Sequence, residues 1–357
     1  MRVLSWLRVT LERSLAPRGV GVDPRRRPLG RVHVGSARRS IDSAAARCSA
    51  KGLQARALAV ALSVSLPALA TAAPPAASET LAQQVNAAIA VDGVPLGHLT
   101  VYAKNLDTGA EWSLNGDERI RTASTIKLPI ACALEELART GGLGWEESLV
   151  IRSDDQVSGS GVLHEFTDGA TIRLKDAMTL MLIVSDNTAT NLLLDRVGGD
   201  RVNDYLDRLG FQHTRVLRKI RGDGAHLKPP SGWTQAGREA ANADFGIGVT
   251  TEHDMVRLLE MLANGEIVNR TASDEVLAIL SHQQDHSSMA RHAEGMRVLN
   301  KTGSLDALRS DVGIAYTPRG RIAMAITIDG LAQIDESPDN AGEQAIWSIA
   351  DLLMRTL

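Results

Sequence analysis

The constraint that most limits the fold is the order in which two periodicities run along the chain. Alternating, period-two segments stand near both ends of the body, at 99–103 and 110–114 and again at 297–301, 310–317 and 321–328. Segments with helical spacing fill the middle, at 124–138, 174–184, 188–197, 200–209, 251–262 and 273–283. Two more helical patterns, 78–90 and 337–355, bracket the whole. Asp107-Thr108-Gly109 and Pro318-Arg319-Gly320 read as hairpin turns, so neighbouring strands run antiparallel. Strands drawn from both ends of a chain bury their apolar faces only by joining one sheet. The expected class is α/β: an antiparallel sheet flanked by the N- and C-terminal helices, with an all-helical lobe inserted.

Local signals sharpen this. Leu81, Val85 and Ala88 share one face of the first helix, with Ser78 or Thr80 as N-cap; Thr250 or Thr251 caps the helix after 250. The run 174–184 is strongly apolar but too short to cross a membrane, so it belongs in the core. Residues 214–249 are irregular and rich in glycine, with Pro229-Pro230, and a stretch of that length inside a compact body is expected to serve function.

The N-terminus has a different character. Residues 57–70 form an apolar run preceded by Lys51 and Arg56 and followed by Ala70-Thr71-Ala72. That is the order of a secretory signal peptide, cleaved near Ala72. The run is short and interrupted by Pro67, so no stable membrane anchor is expected after cleavage. The first fifty residues are Arg-rich and too long for an ordinary n-region; a true start near residue 50 is one reading, a twin-arginine signal at Arg38-Arg39 another. The expected division is a leader, 1–73, and a body, 74–357, exported to the periplasm or secreted. Residues 1–73 hold 13 Lys and Arg against 3 Asp and Glu, which leaves 26 basic and 39 acidic residues in the body. An acidic body argues against nucleic acid or an anionic membrane surface as partner. Cys48 falls in the leader, which leaves Cys132 alone in the body as a small buried hydrophobe.

Three short motifs carry the chemistry. Ser124-Thr125-Ile126-Lys127 opens a helix, and a hydroxyl and an amine three residues apart share a helical face. The N–H groups of a first turn lack partners and suit developing negative charge. A serine placed there beside a base has the parts of an acyl-transfer nucleophile. Ser185-Asp186-Asn187 precedes a helix and, alone, reads as an N-cap. Lys301-Thr302-Gly303-Ser304 ends a strand and, alone, reads as a turn.

Together, in this order and separated by 61 and then 116 residues, the three motifs resemble those of the serine β-lactamase/DD-peptidase superfamily, closest to class A β-lactamase-type serine hydrolases. The resemblance spans roughly 78–357. It implies an acyl-serine hydrolase that opens β-lactam rings, with a DD-peptidase or other amidase, or a penicillin-binding sensor that acylates without turnover, as alternatives. Ser124 is then the nucleophile and Lys127 its base, provided burial or a second cation lowers the amine's pKa. Lys301 is that cation and attracts a substrate carboxylate. Ser185 bridges the two lysines and passes a proton to the leaving nitrogen. Asn187 holds a substrate amide, Asp186 points inward, Thr302 binds the carboxylate, and Gly303 lets substrate lie along the strand. The N–H groups of Ser124 and Ser304 form the oxyanion hole. Arg309 is either a further carboxylate contact or a solvated strand residue.

The resemblance also implies a loop glutamate for deacylation, and none stands in register. One alignment of the loop puts Thr234 at that place, another Ile220, with an insertion at roughly 221–232. Glu239 is the first candidate to substitute, ahead of Asp244 and Asp223. His282, His286 and His292 are loosely spaced and lack the companions of a metal site, so neither metal nor cofactor is expected. The expected partner is a small molecule, a β-lactam or a D-Ala-D-Ala-like peptide, met by a monomer.

Overall fold

The computed structural model describes residues 75–91, 94–221, 232–293 and 295–357. The expected signal peptide and cleavage site near Ala72, Cys48, Asp223 and the interior of the expected loop insertion lie outside the described residues.

Five strands form the main sheet: β1 (His98–Asn105), β2 (Glu111–Leu114), β3 (Arg297–Leu305), β4 (Leu308–Thr317) and β5 (Gly320–Asp329). Their order is β3-β4-β5-β1-β2, antiparallel throughout, so the first strand in sequence lies beside the last, with Ile326 opposite Val101. The helices are α1 (Pro75–Ala88), α2 (Lys127–Arg139), α3 (Leu174–Ile183), α4 (Asn187–Val197), α5 (Gly199–Arg208), α6 (Glu252–Asn264), α7 (Arg270–Leu280) and α8 (Ala341–Thr356). Strand alternation divides the core in two. On β5, Ile322, Met324, Ile326 and Ile328 pack with Leu81, Val85, Ile346 and Ile349 of the terminal helices. Ala323 and Ala325, on the opposite face, meet the helical lobe, where small side chains let helices approach the sheet.

The lobe is organised around α2. Every residue from Lys127 to Glu135 is buried, so this helix has no solvent face over its first nine positions. Pro129 is tolerated because it falls in the first turn, where no intrahelical N–H bond is lost. α3 contributes Leu174, Ala177, Met178, Met181 and Leu182 to the same core. Among the described residues no helix is long and apolar enough to cross a membrane.

Several boundaries differ from expectation for local reasons. α7 starts three residues early because the Asn269 side chain accepts from the Ala272 N–H. α6 is capped by Thr251, whose hydroxyl accepts from the Asp254 N–H, and Gly265 closes it in the left-handed conformation. α1 begins at Pro75, ahead of both expected caps. The irregular stretch contains short pairings the sequence pattern did not reveal: Arg215–Val216 and Ile120–Arg121 flank Gly248–Thr250 in a small sheet. This sheet ties the approach to Ser124 to the loop.

Candidate active site

The Ser124 turn is tighter than expected. Residues Ala123–Ile126 form a 3-10 turn, and α2 begins at Lys127. Ala123 has φ of 44°, a left-handed value costly for a residue with a Cβ. The turn is clamped from both sides. Thr122 N–H donates to Gly248 O at 3.1 Å, and β3 presses on it at Gly303. A Cβ on Gly303 would lie 3.0 Å from Thr122 O and 3.2 Å from Ala123 Cβ. The glycine therefore serves the contact between strand and nucleophile turn. β3 also runs on to Leu305, so Lys301-Thr302-Gly303-Ser304 lies within a strand rather than ending one.

Ser185 is the second strained position, at φ of 54°, just before α4. Asp186 caps α4 by accepting from Ala189 N–H at 2.7 Å, and its other oxygen accepts from the N–H groups of Val162 and Leu163 at 2.6 and 2.9 Å. It points inward, fully buried, and holds the 157–163 loop. Gly161 is needed there: at φ of 106°, a Cβ would fall 2.3 Å from an Asp186 oxygen.

These clamps bring Lys127 to the second motif. Its ammonium nitrogen lies 2.6 Å from Ser185 O, 2.8 Å from Asn187 Oδ1 and 3.0 Å from Ser185 Oγ. Burial pushes the Lys127 pKa well down, and the nearby Lys301 ammonium pushes it further; Asp186 opposes both. A neutral amine has two N–H groups, which the two carbonyl oxygens would accept, and one lone pair left for a hydroxyl. Ser185 Oγ stands at that third position.

Lys301 is also fully buried. Burial lowers its pKa to about 8, against the fields of Asp285 and Asp311. Its nitrogen donates to Thr302 O at 2.7 Å, and among the described residues no hydrogen bond joins it to Ser185. Ser185 thus contacts one lysine directly rather than bridging two. Asn187 is likewise committed: Oδ1 accepts from Lys127 and Nδ2 donates to Ser158 O at 3.1 Å.

Ser124, Asn187 and Ser304 line one cleft of ≈ 770 Å³ together with Ile220, Asp285 and Arg309. That is within the range of small-molecule sites. Arg309 is 3% exposed, so it is not a solvated strand residue. Its guanidinium donates to Leu305 O at 2.6 Å, to Leu308 O at 2.8 Å and to Asp335 O, and stands 3.7 Å from Glu343. These bonds commit most of its donors to the β3–β4 hairpin and the 335 loop.

Glu239 corrects a further expectation. It is exposed, accepts from Asn242 Nδ2 at 3.2 Å and is absent from the cleft lining. Asp244 lines a separate pocket with His98 and Arg121. Thr234 is buried behind the loop and donates to Val216 O. Among the described loop residues Arg218, Ile220, Arg221 and Ile247 line Ser124's cleft, and Ile220 is locked by two hydrogen bonds to Asn191. Sequence reasoning missed Asp285 altogether, since a lone aspartate after a helix carries no signal. His292 packs edge-on against Trp347, while His282 and His286 are exposed. Among the described residues no three His, Cys, Asp or Glu side chains converge as metal ligands would.

An antiparallel sheet covered by terminal helices, with an inserted helical lobe and a serine–lysine cleft between the two, defines the serine β-lactamase/DD-peptidase class. The chain belongs to the beta-lactamase enzyme family, whose model matches residues 80–357. Beta-lactamase PSE-4 of Pseudomonas aeruginosa is 34% identical over 145 residues, 40% of this chain and 50% of that protein. The beta-lactamase regulatory protein BlaB of Streptomyces cacaoi is 25% identical over 292 residues, 73% of this chain and 93% of that protein. The chain spans about half the length of the first curated relatives it matches. The crystal structure of a beta-lactamase from Sphaerobacter thermophilus DSM 20745 superposes with a TM-score of 0.66 at 32% identity, over 78% of this chain and 97% of that one.

Proposed function

We propose that this protein opens β-lactam rings through an acyl-serine at Ser124 and releases the acyl group slowly. The arrangement of Lys127 carries the reading: a buried amine with depressed basicity, three residues from a cleft-lining serine and 3.0 Å from Ser185 Oγ. In the first step Ser124 Oγ bonds to the lactam carbonyl carbon and its proton passes to Lys127. The C–N bond then breaks, and the proton returns through Ser185 to the departing nitrogen. The N–H groups of Ser124 and Ser304 hold the oxyanion, each worth about 3 kcal/mol in such sites. Lys301 and Thr302 supply the field beside it.

Slow release follows from the loop. Among the described residues the loop turns Arg218, Ile220, Arg221 and Ile247, not a carboxylate, toward the cleft, and none of these is a base for water. This same feature favours a second reading, a sensor that is acylated once. Similarity to a regulatory protein of Streptomyces cacaoi supports it. Export with cleavage near Ala72 belongs to both readings, and N-terminal sequencing of the secreted product tests it.

One experiment separates these outcomes. The purified protein is mixed with a chromogenic cephalosporin, and product is counted while intact mass is recorded. Many equivalents of product support the β-lactamase; one equivalent with a lasting adduct supports the sensor. No adduct and no product, with cleavage of a D-Ala-D-Ala peptide instead, would leave a DD-peptidase.

A further inference from the structure

The two sides of the cleft carry different charges. The Ser124 turn lies between the loop, where Gly248 O accepts the Thr122 N–H, and β3, which meets the turn at Gly303. On the β3–β4 side the cleft is lined by Asp285, Asp306, Glu336 and Glu343. Asp285 belongs to that side because Gln283, two residues before it, donates to Asn300 O of β3 at 3.2 Å. Arg309, the cation among these acids, donates to three backbone carbonyls and stands 3.7 Å from Glu343. On the loop side, among the described residues, Arg218, Ile220, Arg221 and Ile247 line the cleft, two cations and two apolar groups with no acid between them.

Arg218 is half-buried and fixed in place. Its backbone pairs with Trp233, and its N–H donates to Ile247 O at 3.4 Å. The guanidinium carbon stands 5.8 Å from the centroid of the Trp233 ring. A guanidinium has five N–H groups, and among the described residues one is used, Nη1 donating to Lys219 O at 3.2 Å; no carboxylate there pairs with it. The loop position beside the head group is Gly246, where a Cβ would lie 3.9 Å from Arg218 Nη2. A residue that could answer the charge from within the loop is thus replaced by one with no side chain. Burial lowers the Arg218 pKa and the neighbouring Arg221 guanidinium lowers it further, so two like charges share one wall.

We propose that Arg218 is a specificity-determining residue whose guanidinium receives an anionic group on the acyl side chain of the substrate, the part that stays on Ser124 after the ring opens. This rests on acylation at Ser124 as proposed above. A substrate that spans the Ser124 turn with its ring carboxylate toward β3 and Lys301 extends its acyl side chain to the loop. The substrate class is a cyclic amide with two acidic groups, one on the ring and one on the acyl side chain. A planar guanidinium with open N–H groups matches a carboxylate in shape and charge, and the pairing is stronger in a half-buried wall than in water. An ammonium on the same carbon meets two like charges instead.

The test compares three penicillins on the purified full chain at about pH 6: benzylpenicillin, its α-carboxy derivative and its α-amino derivative. They differ by one group on the acyl side chain, which is neutral, anionic and largely cationic in turn. All three keep the ring carboxylate, so the acids on the β3–β4 side act on them alike. Acylation rate constants come from intact mass and from the appearance of ring-opened product, each normalised to the compound's own hydrolysis in buffer. The wild type is expected to favour the α-carboxy compound over benzylpenicillin by about tenfold or more, with the α-amino compound slowest. Arg218→Gln is expected to bring the three within a few fold of one another. Gly246→Asp should do the same with the arginine in place, by offering it a carboxylate from a left-handed position that Asp tolerates, while Gly246→Asn keeps the wild-type order. A melting temperature within a few degrees of wild type shows that a variant is folded; if Arg218→Gln is not, the two Gly246 variants and the wild-type order carry the test. Equal rates or a reversed order in the wild type, or an unchanged order in folded Arg218→Gln or Gly246→Asp, would overturn the role of Arg218 alone. No adduct and no opened product from any of the three would overturn the acyl-serine reading and this inference with it.

Discussion

Asn191 and Ile220 hold one another by a pair of hydrogen bonds, Asn191 Nδ2 to Ile220 O at 2.7 Å and Ile220 N to Asn191 Oδ1 at 2.8 Å. This clasp between α4 and the loop fixes Ile220 in the cleft that Ser124 lines. Replacing the side chain at that point should change release without changing attack. Ile220→Glu is expected to shorten the life of the acyl-enzyme by about a hundredfold, the scale of a positioned general base. Glu239→Gln should leave it unaltered. Both are read from the decay of the adduct mass, and a slower decay in Glu239→Gln would return that residue to the mechanism.

Lys127 should matter to the first step. Its two carbonyl partners and Ser185 Oγ fit an amine, and its guanidinium or apolar replacements lose the lone pair. Lys127→Ala is expected to slow acylation by about 10²–10⁴-fold, measured by the rate of adduct formation, while Ser124→Ala abolishes the adduct. Acylation within a few fold of wild type in Lys127→Ala would remove it as the base.

Stability should fall on the alkaline side. Glu252, at the start of α6, is fully buried against the sheet and accepts from the Thr100 hydroxyl at 2.9 Å. Burial raises its pKa from 4.5 to about 7, against the Thr327 and Thr100 hydroxyls. A raised carboxyl favours the neutral form in the folded state. Its contribution is therefore complete below the unfolded value and is lost as pH rises from 4.5 through about 7. The difference is on the order of 3 kcal/mol. Melting curves at pH 5 and pH 8.5 should show a drop for the wild type that Glu252→Gln reduces. Asp311, also raised by burial to about 7, adds a second contribution in the same window.

Gly161 should not tolerate a methyl group. Its left-handed backbone and the 2.3 Å approach of Asp186 leave no room for one. Gly161→Ala is expected to cost about 3 kcal/mol and to slow acylation, because the same aspartate positions Ser185. Denaturant unfolding measures the first effect. Unchanged stability would mean that the 157–163 loop yields freely.

Much of the architecture could be read in advance because it rests on period. Alternation at 99–103 and 321–328 required a sheet, and β1 and β5 are neighbours in it. The three motifs were legible through their order, and the structure gathers Ser124 and Ser304 in one cleft with Asn187. Other features left no mark. A positive φ at Ala123 and Ser185 is imposed by the clamps around them, not by residue type. The commitment of Arg309 to backbone carbonyls depends on the β3–β4 hairpin and the 335 loop meeting. Ile220 stands at the cleft because Asn191, a distant helix residue, holds its backbone.

The pairing of the first strand with the last has a temporal side. A polypeptide made from its N-terminus presents Ser124 well before β3, β4 and β5 exist to stand behind it, and distant pairings close late. Until Lys301 arrives, the amine at 127 lacks the neighbouring cation that helps unmask it. On the proposed mechanism the hydroxyl at 124 gains its full activation only after the last strands have joined the sheet.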